Sequence, residues 1–450
     1  AQTTLVACSK RSPASFSVVR TTQRTLTAYA SCFELLAASL ENVLSRRAET
    51  LSMTNDSLLQ SLHLHLAWWG LKRFTSDEAY FQWQRETLAP AEVAALLREV
   101  EQKHRGSSAD EVSFYDATAG SNILPVLHSQ QYDYYLAIGP RVTDRIGKAH
   151  PIQSILDVGC GAGILTTFYA KQHPDRRFVG IDRSSASIAR ATEQAQALGL
   201  TNVQFECLDL EHMPPTHFSD LVLATHVLVQ AEQDPGVPSR SWNTFERAGE
   251  SEPQADFERR TGIGARLDRL NALLSAQGRM IVFEKTRQLA RRVPLQRALA
   301  ARGLGLIEQP ELIRYRLVEE IADDGPFYVL GRGASRLIYW DDSPEPDEGP
   351  PFDRTKLKSG LTDPDEPLYE NHWPSAQHVW EQLRDKHFLK ETTKQEPDGR
   401  QLHVELGQAE EGVYLYFANT LDQRQLVLVE PARMAMLESY YQEILNSISS

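Results

Sequence analysis

Residues 154–210, SILDVGCGAGILTTFYAKQHPDRRFVGIDRSSASIARATEQAQALGLTNVQFECLDL, decide how this chain is read. The stretch opens on an apolar run, Ile155-Leu156-Asp157-Val158, of the kind that forms a strand buried on both faces of a parallel sheet. It breaks into Gly159-Cys160-Gly161-Ala162-Gly163 and resumes with helical spacing through Ile164, Leu165, Phe168 and Tyr169. A second apolar run, Phe178-Val179-Gly180-Ile181, ends on Asp182, and a third, Val203-Gln204-Phe205, leads into Cys207-Leu208-Asp209. Strand, glycine turn, helix, strand, acid is the opening of a nucleotide-binding βαβ unit.

Each part has a physical task. Glycines let the backbone turn with positive φ and leave no Cβ between the turn and a ligand. The helix that follows presents unpaired N–H groups. An acid at the tip of the second strand can accept both hydroxyls of a ribose. The spacing of the glycines then discriminates between ligands. A dinucleotide fingerprint is GxGxxG, whereas this chain has GxGxG, with Asp157 two residues before the first glycine. A carboxylate there is awkward beside a pyrophosphate and suits a cationic amino-acid ligand.

At these residues the chain resembles the class I S-adenosylmethionine (SAM)-dependent methyltransferases. DVGCGAG, then GID, then CLD look like the first three motifs of that family, and the resemblance extends over about 154–333. It implies an α/β fold with a seven-stranded Rossmann-like sheet whose last strand runs antiparallel between the fifth and sixth. It also implies SAM as cofactor. Gly159, Cys160, Gly161 and Gly163 would cradle the methionine part, with Asp157 at its ammonium. Asp182 would bind the ribose, Asp209 the adenine amino group and the Leu210 amide a ring nitrogen. Arg183 and Thr225 complete the implied cofactor set.

The chain has 450 residues, enough for two to three domains. Four cysteines, Cys8, Cys32, Cys160 and Cys207, show neither CxxC nor Cys/His ligand spacing, which predicts a reducing compartment and no metal. No apolar run is long enough to span a membrane and no signal-type core stands near the N-terminus, so a cytoplasmic protein without membrane contact is expected. Net charge is −13, and residues 341–450 carry 22 acidic against 10 basic residues. The remainder is electrically balanced. Lys10-Arg11 and Arg291-Arg292 are too sparse for a phosphate-binding surface, so nucleic acid is not expected as a partner.

Along the chain, residues 1–110 read as a flexible start followed by a helical extension or lid. Its predicted helices lie at 21–46, after Asn55-Asp56, after Ser76, and from Pro90 over 91–102. Gly106-Ser107-Ser108 reads as a hinge. Residues 111–340 are the expected methyltransferase domain. Tyr115, Tyr132 and Tyr135 either line the methyl-transfer pocket or fasten their helix to the sheet. A Met-Pro-Pro turn precedes the fourth strand, which ends at Thr225-His226, where open α/β sheets bind ligands. His226 can take a proton from a hydroxyl or amine as the methyl arrives, or it is structural. Residues 231–262 read as a lid or specificity loop, with Trp242 and Phe245 closing on a substrate, or as disorder. A helix over 265–276 and a strand over 279–285 follow. Glu284 ends that strand, facing the acceptor or pairing with Lys285. Residues 341–371, rich in Asp, Glu and Pro, read as a linker. Residues 372–450 read as an α-β-β-β-α module for binding or dimerisation, with a helix over 375–389.

The function these residues predict is methyl transfer from SAM to a small-molecule acceptor. The catalytic candidates are His226, Tyr115 and Glu284. A protein side chain is the second choice of acceptor, a SAM-binding regulator without catalysis is a rival, and a nicotinamide-dependent oxidoreductase is a further one. A homodimer is left open.

Overall fold

The computed structural model describes residues 56–447 except 106–107, 121, 149–151, 211–217, 230–233, 248, 250, 323, 334–337, 341, 345–350, 358–366 and 397–398. The expected flexible start, the helix at 21–46, Gly106-Ser107 of the hinge, the Met-Pro-Pro turn and most of the acidic linker lie outside those residues. The chain divides into two compact units, 1–64 and 65–450. In the first, 56–64 are described and helical. The remaining elements belong to the second.

Among the described residues, the helical stretch 65–68 is followed before the sheet by α1 (Asp77–Thr87), α2 (Pro90–Arg105), α3 (Ser108–Thr118), α4 (Ile123–Gln130) and α5 (Tyr132–Lys148). The predicted start signals hold at the first two. Ser76 caps α1, its side chain accepting from the Ala79 N–H at 3.3 Å, and Pro90 opens α2. Leu88, Leu96 and Val126 form a small core between these helices, with Trp83, Phe114 and Ile123 packed against it. An apolar seam shared by these helices is what holds them, since helical stability in proteins comes mostly from the packing of an apolar face.

The central sheet is built from β1 (Ser154–Val158), β2 (Arg177–Asp182), β3 (Val203–Cys207), β4 (Ser219–Thr225), β5 (Leu274–Phe283), β6 (Leu304–Leu306) and β7 (Pro326–Arg332). Its order is β3-β2-β1-β4-β5-β7-β6, and a two-residue strand, Glu311–Leu312, also pairs with β7. β1 through β5 are mutually parallel; β7 is antiparallel to both β5 and β6. The reversal of strand order between β1 and β4 leaves a crevice at their carboxyl ends, where Asp157, Asp182 and Thr225 stand. Helices α6 (Ile164–Gln172), α7 (Ser185–Ala197), α8 (Ser251–Thr261), α9 (Ile263–Leu273) and α10 (Leu289–Ala301) complete this part. Leu156, Val222, Phe257, Leu267, Met280 and Leu299 belong to its main core.

The C-terminal part differs from the expected α-β-β-β-α pattern. It has five antiparallel strands, β8 (Tyr369–His372), β9 (His387–Gln395), β10 (Gln401–Ala409), β11 (Gly412–Asn419) and β12 (Arg424–Val429), in the order β8-β12-β11-β10-β9. A short helix, α11 (Arg354–Leu357), precedes β8, and the helix expected over 375–389 is α12 (Trp373–Gln382), which stops early. Leu383 ends the helix with an extended ψ of 137°, Asp385 turns the chain with a left-handed φ of 48°, and residues from His387 pair with β10 as an edge strand. Phe388 and Leu389, within the span expected to be helical, lie on that edge strand and are exposed. The supposed linker is partly structured: Phe352, Leu357 and Leu368 pack against the core of this sheet, and β8 begins at Tyr369. A last helix, α13 (Met434–Ser447), covers the other face through Leu437 and Tyr441.

The insertion after β4 corrects a second expectation. Residues 251–261 are helical, and the segment 234–247 lies against the C-terminal sheet instead of over the crevice. The Trp242 ring stacks on His403 with centroids 3.7 Å apart. Arg424 stands over the Phe245 ring, the Ser239 N–H donates to the Thr420 carbonyl at 2.8 Å, and Arg247 forms a fully buried ion pair with Asp422. Asp422 also accepts the Ala290 N–H at 2.9 Å, tying the module to the first turn of α10.

Candidate active site

A cavity of about 290 Å³ opens at the carboxyl ends of β1, β2 and β4. Asp157, Gly159, Cys160, Gly161, Asp182, Arg183, Asp209, Leu210, Thr225 and His226 line it, as does Tyr115 at its rim. Gly163 does not. It begins α6, and a Cβ there would meet Ala191 and the Phe205 ring at 2.9 Å, so its task is packing. Gly161 is the opposite case. It turns with a φ of 54°, and an added Cβ would find nothing within 4 Å, so its bare face is turned to open space.

The acids at this end are set by short local bonds. Asp157 is buried and accepts from Thr166 Oγ1 at 2.5 Å. Burial, with a smaller push from Asp182, raises its carboxyl to about 7. Asp182 accepts the Gly161 N–H at 2.9 Å on one oxygen and the Ser184 N–H at 2.9 Å on the other. Burial also raises it, against those two bonds. Each of its oxygens keeps a lone pair for a further donor. The Cys160 thiol between them is pushed up by burial first and then by Asp157 and Asp182.

Helix α3 roofs the cavity with Glu111, Val112 and Tyr115. Two contacts fasten it there: Glu111 pairs with Arg183 at 2.7 Å, and Asp116 accepts from Ser184 Oγ at 2.6 Å and from the Ala186 N–H at 3.1 Å. Helix α5 contributes Tyr134 and Tyr135, whereas Tyr132 is buried away from the cavity. Tyr135 bonds His128 Nδ1 at 2.5 Å, and burial holds that imidazole at about 4, hence neutral.

His226 sits where β4 ends, with a φ of 58°, a left-handed conformation seldom taken by a residue with a side chain. Its N–H donates to the Phe283 carbonyl at 2.9 Å. Its ring lies on Tyr134, centroids 4.8 Å apart, and its Nε2 is 2.7 Å from Asp324 Oδ1. Tyr315 donates to the other Asp324 oxygen. Asp324 reaches this place because Gly325 passes hard against Thr286, where a Cβ would lie 2.4 Å from Oγ1, and donates its N–H to the Glu284 carbonyl. Tyr134, Tyr315 and Asp324 carried no sequence signal, being short-range partners only in three dimensions.

Glu284 corrects an expectation. It is fully buried and faces neither the cavity nor Lys285. Its carboxylate accepts the N–H groups of Val227 and Leu228 at 2.9 Å and of Val229 at 3.2 Å, so it shapes the turn that carries His226. Burial raises it to about 7, opposed by His226 and those three donors.

Residues 150–282 match a family model described as a methyltransferase domain, covering the glycine turn and β1 to β5. Residues 150–282 therefore carry a methyltransferase domain, on a sheet of Rossmann-like order. The residues of the cavity fit SAM, the cofactor that the sequence resemblance implies. Two burial-raised carboxyls beside an open glycine face favour a ligand that brings positive charge. Over 94 residues, 21% of this chain, the domain is 32% identical to a tRNA (guanine-N(7)-)-methyltransferase of Rubrobacter xylanophilus. Over 102 residues it is 30% identical to a malonyl-[acyl-carrier protein] O-methyltransferase of Acetivibrio thermocellus. The chain spans 40% and 35% of the length of those two relatives. Among solved structures, magnesium protoporphyrin IX methyltransferase of Synechocystis PCC 6803 aligns at 15% identity and a TM-score of 0.33, covering 52% of this chain and 96% of that one. No helix among the described residues is long and apolar enough to cross a membrane.

Proposed function

We propose that the whole protein transfers the SAM methyl group to a small acceptor held between α3, α5 and the turn after β4. The observation that carries this is the pairing of Asp157 and Asp182 around the bare face of Gly161. In this reading Asp157 holds the cofactor's ammonium, Asp182 the ribose hydroxyls, and Asp209 with the Leu210 amide the adenine. Thr225 and the Cys160 thiol pack beside it, and Arg183 keeps the roof closed through Glu111. The sulfonium supplies the electrophilic methyl, and the chain's own work is to align the acceptor and exclude water. A dinucleotide is disfavoured, because a pyrophosphate would face those carboxyls.

The small acceptor rests on the walls of the other end: Tyr115, Tyr134, Tyr135 and neutral His128 give an aromatic lining without a cationic tract. A net charge of −13 points the same way, away from a polyanion. The test is calorimetry with S-adenosylhomocysteine, SAM and NAD, followed by transfer of labelled methyl from SAM into a metabolite extract and into total tRNA. Binding of the first two ligands, none of NAD, and label in the metabolite fraction are expected. Label in tRNA alone would refute the small acceptor; no heat with either adenosyl ligand would refute the whole reading.

A further inference from the structure

We propose that Asp324 and Tyr315 are positioning residues that fix the tautomer of His226, making its Nδ1 the base that takes a proton from the acceptor. The inference rests on the methyl-transfer reading and narrows it, since the acceptor must then be a hydroxyl, phenol or amine with a proton to lose.

Three observations converge. A carboxylate 2.7 Å from Nε2 accepts a hydrogen bond, so the ring proton resides on Nε2 and the lone pair on Nδ1. Nδ1 has no protein partner among the described residues, and His226 lines the cavity. The backbone of His226 is held in a left-handed conformation by its bond to the Phe283 carbonyl and by the Glu284-bound turn that follows, an expense without purpose for a ring that merely fills space. Asp324 is itself buried, with Tyr315 donating to its second oxygen, so the carboxylate is prevented from turning away. Burial and Asp324 push the Tyr315 phenol well above its ordinary range, which keeps it a donor.

The step balances without a further reactant. The acceptor's proton passes to Nδ1, the freed electron pair of oxygen or nitrogen forms the bond to the methyl carbon, and the carbon–sulfur pair stays on sulfur. The imidazolium so formed is compensated by Asp324. The titratable groups around His226 are Asp324 and Tyr315 before β7, Tyr134 on α5 and Glu284 after β5.

Nitrogen NMR of the histidine-labelled full chain reads the tautomer directly and needs no acceptor. The wild type is expected to show His226 protonated at Nε2, and Asp324→Asn to lose that preference. The same variant should bind S-adenosylhomocysteine within about twofold of wild type while labelled-methyl incorporation into a metabolite extract falls about 100-fold or more. Its acid limb in the rate–pH profile should also move, and Asp324→Glu should restore part of the rate. Tyr315→Phe, which keeps the ring, should cost less than Asp324→Asn. A wild-type Nδ1–H tautomer, or an Asp324→Asn rate within threefold of wild type, overturns the proposal. Loss of S-adenosylhomocysteine binding by the wild type would instead refute the reading on which it rests.

Discussion

The two ends of the cavity are each organised around a buried carboxyl that burial holds at about 7, Asp157 at one and Glu284 at the other. Asp157 is bonded by a single hydroxyl and lines the cavity, whereas Glu284 is closed off by three backbone donors. The same desolvation thus serves two ends. A group left short of partners is poised for a ligand; a group supplied with them becomes a fastener. A raised carboxyl becomes informative about function only after its hydrogen bonds have been counted.

The contrast breaks most visibly at Glu284. Glu284→Gln replaces one acceptor oxygen by an NH₂ group that confronts backbone donors in a buried place. A loss of about 3 kcal/mol is expected, or about 4 °C in Tm for a cooperative unit of this size, by calorimetry at pH 8. A fall confined to about 1 °C would mean that the turn holds without its fastener.

Asp157→Asn should do the reverse. Affinity for S-adenosylhomocysteine falls about 10- to 100-fold through the lost charged hydrogen bond, while Tm of the ligand-free protein at pH 8 stays level or rises. The sign follows from linkage. A carboxyl whose folded value is raised binds its proton more tightly in the folded state. Its stabilising effect is therefore present at low pH and is lost as pH climbs from about 4 to about 7. Wild-type affinity for this ammonium-bearing ligand should weaken about tenfold per pH unit below about 7, and the Asn variant should be flat over that range. Parallel pH curves for the two proteins would remove Asp157 from ligand binding.

The smaller of the two expected losses of stability belongs to Gly161→Ala. Its Cβ meets nothing within 4 Å, so only the left-handed backbone resists it, a cost of about 1 kcal/mol. Thermal melts should register that small step while S-adenosylhomocysteine ceases to shift Tm. A large destabilisation would show the open face to be packed after all.

Much of the Asp157 end could be read in the sequence, because its parts lie in sequence order: a strand, a turn that needs glycines, a helix, a strand ending on an acid. Tyr115 and His226 also fall on the cavity, and the order of the sheet follows the expected one. The His226 end was mostly hidden. Asp324 is 98 positions from its partner, and nothing in its neighbours distinguishes it from any loop acid. Glu284 at a strand's carboxyl end has the same sequence appearance whether it points into a crevice or beneath a turn. The segment 234–247 departs from the lid or disorder expected over 231–262 for a related reason: polar, proline-bearing residues resemble a free loop until a distant surface supplies their partners, here Thr420, Asp422 and Arg424.

That contact between the insertion and the last five strands carries a consequence for the chain's history and handling. An appendage joined by a tether alone can be cut away or exchanged, but this one contributes half of a stacked ring pair and the counter-charge of an enclosed guanidinium. Severed near residue 340, the catalytic half would be left with a bare indole and an unmatched cation on its flank. The two halves are therefore obligate companions, to be expressed, crystallised and swapped together.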